Sequence, residues 1–181
     1  EIISSLFGYG SFDELSVKNS AKALFYFAVG LPAFALIKVF SVFFFARHNT
    51  KLPFYISLIS VLLNIFISII FFKEVGFIII PIATTISSWF NAIFLFVFLK
   101  KKNLFNFNLI FIDRFIKILA ATILMGIFFN FLIYFFNDKL EYFENLKALY
   151  LIGTVVMGLI FYFLIAILIK AFKKSDINLN Y

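Results

Sequence analysis

The sequence contains no cysteine and only one histidine, His48. A chain without thiols forms neither disulfides nor thiolate metal sites, and a single imidazole cannot build a zinc site. The sequence also lacks paired carboxylates within its apolar segments, a nucleophile beside a histidine and a glycine loop that could hold phosphate. We therefore expect no cofactor, no metal and no enzyme chemistry.

Charge is also scarce, since 14% of the residues are charged and 64% are hydrophobic, whereas about 25% are charged in soluble domains. Most of the charge lies between five apolar runs, at residues 21–46, 53–72, 77–99, 115–136 and 148–169. A hydrocarbon core about 30 Å thick needs about 20 residues of helix, because no water there can satisfy a free peptide group. The sequence predicts an all-α membrane protein with five transmembrane helices.

The net charge of +7 comes from basic residues that cluster at the ends of these runs. Anionic membrane lipids are a simpler partner for such residues than nucleic acid, for which the sequence has no motif. The loops on one side of the predicted bundle hold about twice as many Lys and Arg residues as those on the other side, and the basic side faces the cytoplasm by the positive-inside rule. This predicts a periplasmic N-terminus and a cytoplasmic C-terminus.

A capping box at Ser11 and Glu14 predicts the start of a short interfacial helix before the first span. With this helix, the chain is predicted to have five parts. The parts are an outer loop with this helix (1–20), three spans (21–102), a cytoplasmic interfacial linker (103–114), a further pair of spans (115–170) and a cytoplasmic tail (171–181).

Two stripes of polar residues lie inside the second and third spans, each at the spacing of one helix face. The stripes are Ser57, Ser60, Asn64 and Ser68 in the second span, and Thr84, Ser88 and Asn91 in the third. Two interpretations are open. The stripes could form hydrogen bonds that pack neighbouring helices, or they could line a water-filled route through the membrane.

Lys38 is the only charged residue well inside a span. About 12 Å of helix separates it from the end of the span at Ala46, which is too far for its amine to reach the interface easily. Three roles are open: substrate or ion coupling, pairing with Asn64 or a carbonyl, and partial snorkelling. Gly30 and Pro32 interrupt the same span, and such breaks occur both in transporters and in inert bundles.

In the last two spans, small residues alternate with bulky ones. The pattern is typical of tight helix packing, and it also suits a groove that admits an acyl or prenyl chain. The residues that would line such a groove are Met125, Phe128, Phe129, Met157 and Phe161.

The segment from Gly30-Leu-Pro32 through Lys38-Val39 and the Arg47 turn to Asn64 resembles the MurJ (MviN) family of lipid II flippases. The segment from Gly76 through Trp89-Phe-Asn-Ala92 to the basic residues 100–102 resembles the next helix of that family. Residues 8–12 resemble the loop that precedes these helices.

Members of this family have fourteen spans, arranged as two six-helix lobes and two extra helices. The resemblance implies that the chain is the last five spans, a C-terminal fragment of a MOP-type transporter. The missing N-terminal helices of the same polypeptide would be its partner and would form most of the headgroup cavity. The implied substrate is lipid II, the undecaprenyl-pyrophosphate-linked peptidoglycan precursor, which crosses the bacterial inner membrane by alternating access. Candidate substrate-binding residues are Lys38, Arg47, Asn64 and Asn91.

Two other functions stay open from the sequence. A related exporter of the MOP superfamily, which carries polysaccharide-lipids or acts as a cation-coupled multidrug antiporter, would have the same fold. A membrane scaffold without transport activity would use the polar stripes only to order its helices.

Overall fold

The computed structural model describes Ile3 and residues 13–104, 109–136 and 147–171. From residue 13 onward, these residues form five α-helices and no strand, so the predicted all-α fold is confirmed. The helices are α1 (Glu14–Phe45), α2 (Lys51–Val75), α3 (Ile79–Lys101), α4 (Leu109–Phe135) and α5 (Lys147–Leu168), and a 3-10 turn (Gly76–Ile78) joins α2 to α3.

In the described ranges, four continuous helical runs are long and apolar enough to cross a membrane: Glu14–Phe45, Lys51–Lys101, Phe111–Phe135 and Ala148–Leu168. The run of 51 residues would measure about 77 Å if straight, more than twice the thickness of the hydrocarbon core. It reverses direction at Gly76, whose φ of 71° and ψ of −153° suit glycine alone. The five helices therefore correspond to the five predicted spans.

Two boundary segments differ from the predicted division of the chain. Residues 14–20 are continuous with the first span, because no proline or glycine between Glu14 and Val29 could end the helix. The linker predicted at 103–114 overlaps α4, which begins at Leu109. Ser11, the motif at residues 8–12, residues 105–108 and the tail from residue 172 lie outside the described residues.

The helices form two compact units, with α1–α3 in one and α4–α5 in the other. In the first unit, α3 packs against both α1 and α2, which barely contact each other. Asn64 of α2 bonds Thr84 of α3, and the earlier Ser57 bonds the later Asn91, so these two helices are antiparallel.

The apolar core of the first unit lies where its three helices meet. It consists of Phe40 and Phe44 of α1, Ile56 of α2, and Leu95 and Leu99 of α3. Closer to the start of both helices, Thr85 of α3 bonds the carbonyl of Tyr26 in α1. Residue numbers therefore rise together along α1 and α3, which are parallel.

In the second unit, α4 and α5 form an antiparallel pair. The rings of Phe128 and Phe161 are stacked with centroids 4.2 Å apart. Ala121 and Ala166 belong to one fully buried cluster further along the pair. Small side chains at this crossing let the helices approach closely.

Helices α1, α3 and α5 end in the same way, with a non-glycine residue in the left-handed region. These residues are His48 (φ 56°), Asn103 (φ 52°) and Lys170 (φ 53°). At the end of α5, Ala171 N–H donates to the Ala166 carbonyl and Lys170 N–H to the Ile167 carbonyl, which is the Schellman pattern. The same pair of bonds occurs at the other two ends.

Candidate functional site

The two predicted polar stripes meet at an open cavity of about 270 Å³ in the α1–α3 unit. Phe34 and Ile37 of α1 form part of its apolar wall. Its polar lining consists of Ser57, Ser60 and Asn64 of α2 and Thr84, Ser87, Ser88 and Asn91 of α3. The helical spacing of the stripes puts these side chains on facing surfaces, and the reversal at Gly76 sets the register.

Asn64 forms two hydrogen bonds that join α2 to α3 at this cavity. Its Nδ2 donates to Thr84 Oγ1 at 3.0 Å and to Ser87 Oγ at 3.3 Å. Both hydroxyls donate their own protons to carbonyls of α3: Thr84 donates to the Ile80 carbonyl and Ser87 to the Thr84 carbonyl. The hydroxyl oxygens therefore act as acceptors toward the cavity.

Asn91 forms a second link further along the same face. Its Nδ2 donates to Ser57 Oγ at 3.3 Å, whereas its buried Oδ1 has no partner in the described part of the chain. Ser60 and Ser88 also donate their protons to carbonyls of their own helices. Because most donors are used internally, the cavity is richer in hydrogen-bond acceptors than in donors. It suits water or a hydroxyl-bearing ligand.

The polar cavity is open, and hydrocarbon at its opening would leave the spare acceptor lone pairs of its hydroxyl groups without partners. Such groups are costly in lipid and face protein or a hydrated cavity. In a membrane, this arrangement favours protein or water over lipid on the open side of the cavity.

Two other polar side chains of α3 bind α1 instead of the cavity. Thr85 donates to the Tyr26 carbonyl at 2.6 Å, and the indole Nε1 of Trp89 donates to the Val29 carbonyl at 3.1 Å. The role of Trp89 was not predicted from the sequence. An indole N–H inside an apolar span needs an acceptor, and this need could have predicted from the sequence that Trp89 bonds a neighbouring helix.

The structure brings together only two of the four predicted substrate-binding residues. Asn64 and Asn91 line the same cavity. Lys38 is exposed on α1, and among the described residues it has neither a hydrogen bond nor an ion pair, so its amine does not pair with Asn64. Arg47 is exposed in the turn after α1. Ser68, the last member of the first stripe, is not part of the cavity lining.

The predicted lipid-tail residues lie at or beside the contact between α4 and α5. Phe128 stacks on Phe161, and the ring of Phe129 lies 3.3 Å from the position of a Cβ at Gly158. Met125 is half-buried, whereas Met157 is 48% exposed. Three aromatic rings thus pack the helix pair, and Met157 lies outside that contact.

Sequence comparison agrees with this architecture. A family model described as lipid II flippase MurJ matches residues 1–151 of the chain. The chain belongs to the MurJ family. It is 29% identical over 182 residues to a probable lipid II flippase MurJ of Rickettsia prowazekii, an alignment that covers 97% of the chain and 35% of the relative.

Two further MurJ relatives give the same result. A probable lipid II flippase MurJ of Rhizobium tropici is 30% identical over 99% of the chain and 34% of its own length. That of Thermotoga maritima is 35% identical over 69% of the chain and 25% of its own length. The chain thus spans about a third or less of the length of these relatives. Each of these three relatives is named a probable lipid II flippase.

Proposed function

We propose that this chain is part of a transporter that carries lipid II across the bacterial inner membrane. The membership of the chain in the MurJ family supports this proposal, as do the names of its relatives. The chain would act together with the helices that make up the rest of a full-length MurJ protein. Its role is transport by alternating access and not bond-breaking chemistry, with the prenyl tail staying in lipid while the headgroup crosses.

The acceptor-rich cavity at Asn64 and Asn91 is the observation that supports a part of the transport route in this chain. In the proposed arrangement the cavity faces the hydrated interior of the full transporter. The hydroxyl oxygens of Thr84, Ser87 and Ser57 each accept one bond from an asparagine amide and keep a further lone pair, which can accept a hydrogen bond from water or from a sugar hydroxyl. Hydrogen bonds between α2 and α3 hold these oxygens in place.

Lys38 and Arg47 have separate parts in this proposal. Lys38 is not part of the cavity lining, but it lies one helical turn beyond Phe34, a wall residue of the cavity, which supports a place for its amine near the rim. There it attracts the anionic pyrophosphate of the headgroup. Arg47, after the end of α1, does the same at the predicted cytoplasmic surface. Lys38, inside its span, is costly in lipid, and a hydrated route removes that cost.

For the prenyl tail we propose the surface of the α4–α5 pair beside Met157. Phe128, Phe129 and Phe161 stiffen the pair from within. The half-buried Met125 and the exposed Met157 offer flexible apolar side chains at its edge.

The experiment replaces Asn64 and Asn91 by leucine, singly, in the full-length protein. Each variant is expressed in cells depleted of the native transporter, and lipid II on the outer face is measured. We expect both variants to lower it strongly at normal membrane abundance. The matched control is Asn130→Leu, because Asn130 is exposed on α4 and its amide donates only to the Gly126 carbonyl of its own helix.

Normal outward lipid II in both cavity variants would refute a transport role for the cavity. An unchanged outer lipid II pool on depletion of the protein itself would refute the transport function and favour a scaffold.

A further inference from the structure

A second cavity, of about 550 Å³, lies in the α1–α3 unit at the end where α1 begins. Lys18 and Lys22 are both part of its lining. The remaining wall is apolar except for Tyr26. It comes from Ala21, Phe25 and Tyr26 of α1, from Val75 and Ile78 at the reversal between α2 and α3, and from Ile82. The cavity thus combines two amines with a hydrocarbon surface.

The length of α1 places the two amines in the headgroup layer. The helix has 32 residues and is about 48 Å long, whereas the hydrocarbon core is about 30 Å thick. Counting about 20 residues back from Phe45 reaches Tyr26, which lies close to the membrane boundary, where tyrosine is favoured. Lys18 and Lys22 lie one to two turns beyond that boundary. The reversal at Gly76–Ile78 is at the same level, because its residues share this cavity with α1.

The cavity has uncompensated positive charge. Lys18 and Lys22 are one helical turn apart and exposed, and within residues 13–104, 109–136 and 147–171 neither forms an ion pair. Glu74 is near in sequence to Val75, but its carboxylate is not within ion-pair distance of either amine. Two like charges at this spacing repel each other, and a bound anion removes the repulsion.

We propose that this cavity binds the phosphate headgroup of an anionic membrane lipid, with Lys18 and Lys22 on the phosphate and Ile78 and Ile82 against the upper acyl chain. The amines at headgroup depth match the phosphate, and the apolar wall matches the chain. A free phosphate ion would leave that wall in contact with water. The inference does not depend on the transport function.

The test uses the full-length protein with a single bimane label on Phe77→Cys. Phe77 is 49% exposed beside the cavity and is not part of its lining. The chain has no cysteine of its own, and any cysteine in the rest of the full-length protein is replaced by serine. The protein is placed in phosphatidylethanolamine vesicles that contain nitroxide-labelled phosphatidylglycerol or, separately, nitroxide-labelled phosphatidylcholine. We expect stronger quenching by phosphatidylglycerol, with about fivefold in relative affinity for each lysine and about 25-fold for the two together.

Three variants give the proposal its controls. Lys18→Gln with Lys22→Gln should reduce quenching by phosphatidylglycerol to the level of phosphatidylcholine. Lys18→Arg with Lys22→Arg keeps the charge and should keep the preference, which separates binding from a folding defect. Lys100→Gln with Lys101→Gln removes the same charge at the end of α3 and should leave the preference unchanged.

Three results would overturn the proposal. The first is equal quenching by both lipids in the parent protein, and the second is an unchanged preference in the glutamine variant of Lys18 and Lys22. The third is loss of the preference when millimolar inorganic phosphate is added, which would indicate a site for a soluble anion. Competition by a polyprenyl pyrophosphate would support the site, because that lipid has the same chemistry.

Discussion

The hydroxyl of Thr85 donates a hydrogen bond of 2.6 Å to the main-chain carbonyl of Tyr26. One turn later on α1, Gly30 is buried against the same threonine, and a Cβ at Gly30 would lie 3.0 Å from Thr85 Oγ1. The bond and the small residue act together, because the close approach of the backbones lets a short side chain reach a carbonyl on the neighbouring helix. This contact joins α1, the helix that contains Pro32, to α3, the central helix of the unit.

Replacing Thr85 by valine is expected to weaken the packing of α1 on α3. The substitution keeps the shape and removes the donor, so we expect a loss of about 0.6 kcal/mol and at most about 1.7 kcal/mol. Reversible denaturation in mixed micelles would measure this. Thr122→Val is the control, because the Thr122 hydroxyl bonds only Ile118 of its own helix on an exposed face. Equal losses in the two variants would contradict the interhelical role of Thr85.

A leucine at position 30 is expected to be more harmful. The side chain would push Thr85 away, and such overpacking costs about 1–3 kcal/mol. Gly126→Leu is the matched control in α4, since nothing lies within 4 Å of a Cβ at Gly126, and it should change stability by about 0.5 kcal/mol or less. Thermal unfolding of the two variants side by side would decide whether the contact at Gly30 is as tight as described.

Glycine at position 48 is expected to stabilise the protein. His48 has a φ of 56°, a conformation that costs a non-glycine residue about 1–2 kcal/mol, and glycine is the usual residue at this position of a Schellman motif. We expect a gain of about 1 kcal/mol after the greater freedom of glycine in the unfolded state is subtracted. Ala46→Gly, in the same turn but without a positive φ, should destabilise. A gain in both variants would show that backbone strain is not the cause.

The orientation of the chain remains a prediction that single cysteines can test. A cysteine in place of Lys73 should react with an impermeant reagent in intact cells, because the end of α2 is predicted to face outward. A cysteine in place of Lys101, at the opposite end of α3, should react only after the cells are permeabilised. The reverse pattern would refute the predicted topology and the cytoplasmic position proposed for Arg47.

The spans and the two polar stripes could be read from the sequence because lipid imposes strict limits on length and polarity. The stripes meet because residues 57–64 and 84–91 lie on either side of a reversal that only Gly76 permits. The position of α3 between its neighbours could not be read from the sequence. It depends on the close approach at Gly30 and on the carbonyl acceptors of α1, and neither leaves a periodic pattern. The surroundings of Lys38 were equally hidden, because helical spacing does not show which side of α1 packs on α3.

The bond between Asn64 and Thr84 joins residues only 20 positions apart, and both lie in one helical hairpin. This short separation has a consequence for biogenesis. The amide can find its hydroxyl partner as soon as the nascent chain has turned at Gly76, without waiting for distant segments of the polypeptide. The hairpin can therefore leave the translocon with the Asn64 amide already paired, so that membrane insertion and the assembly of the cavity become a single event.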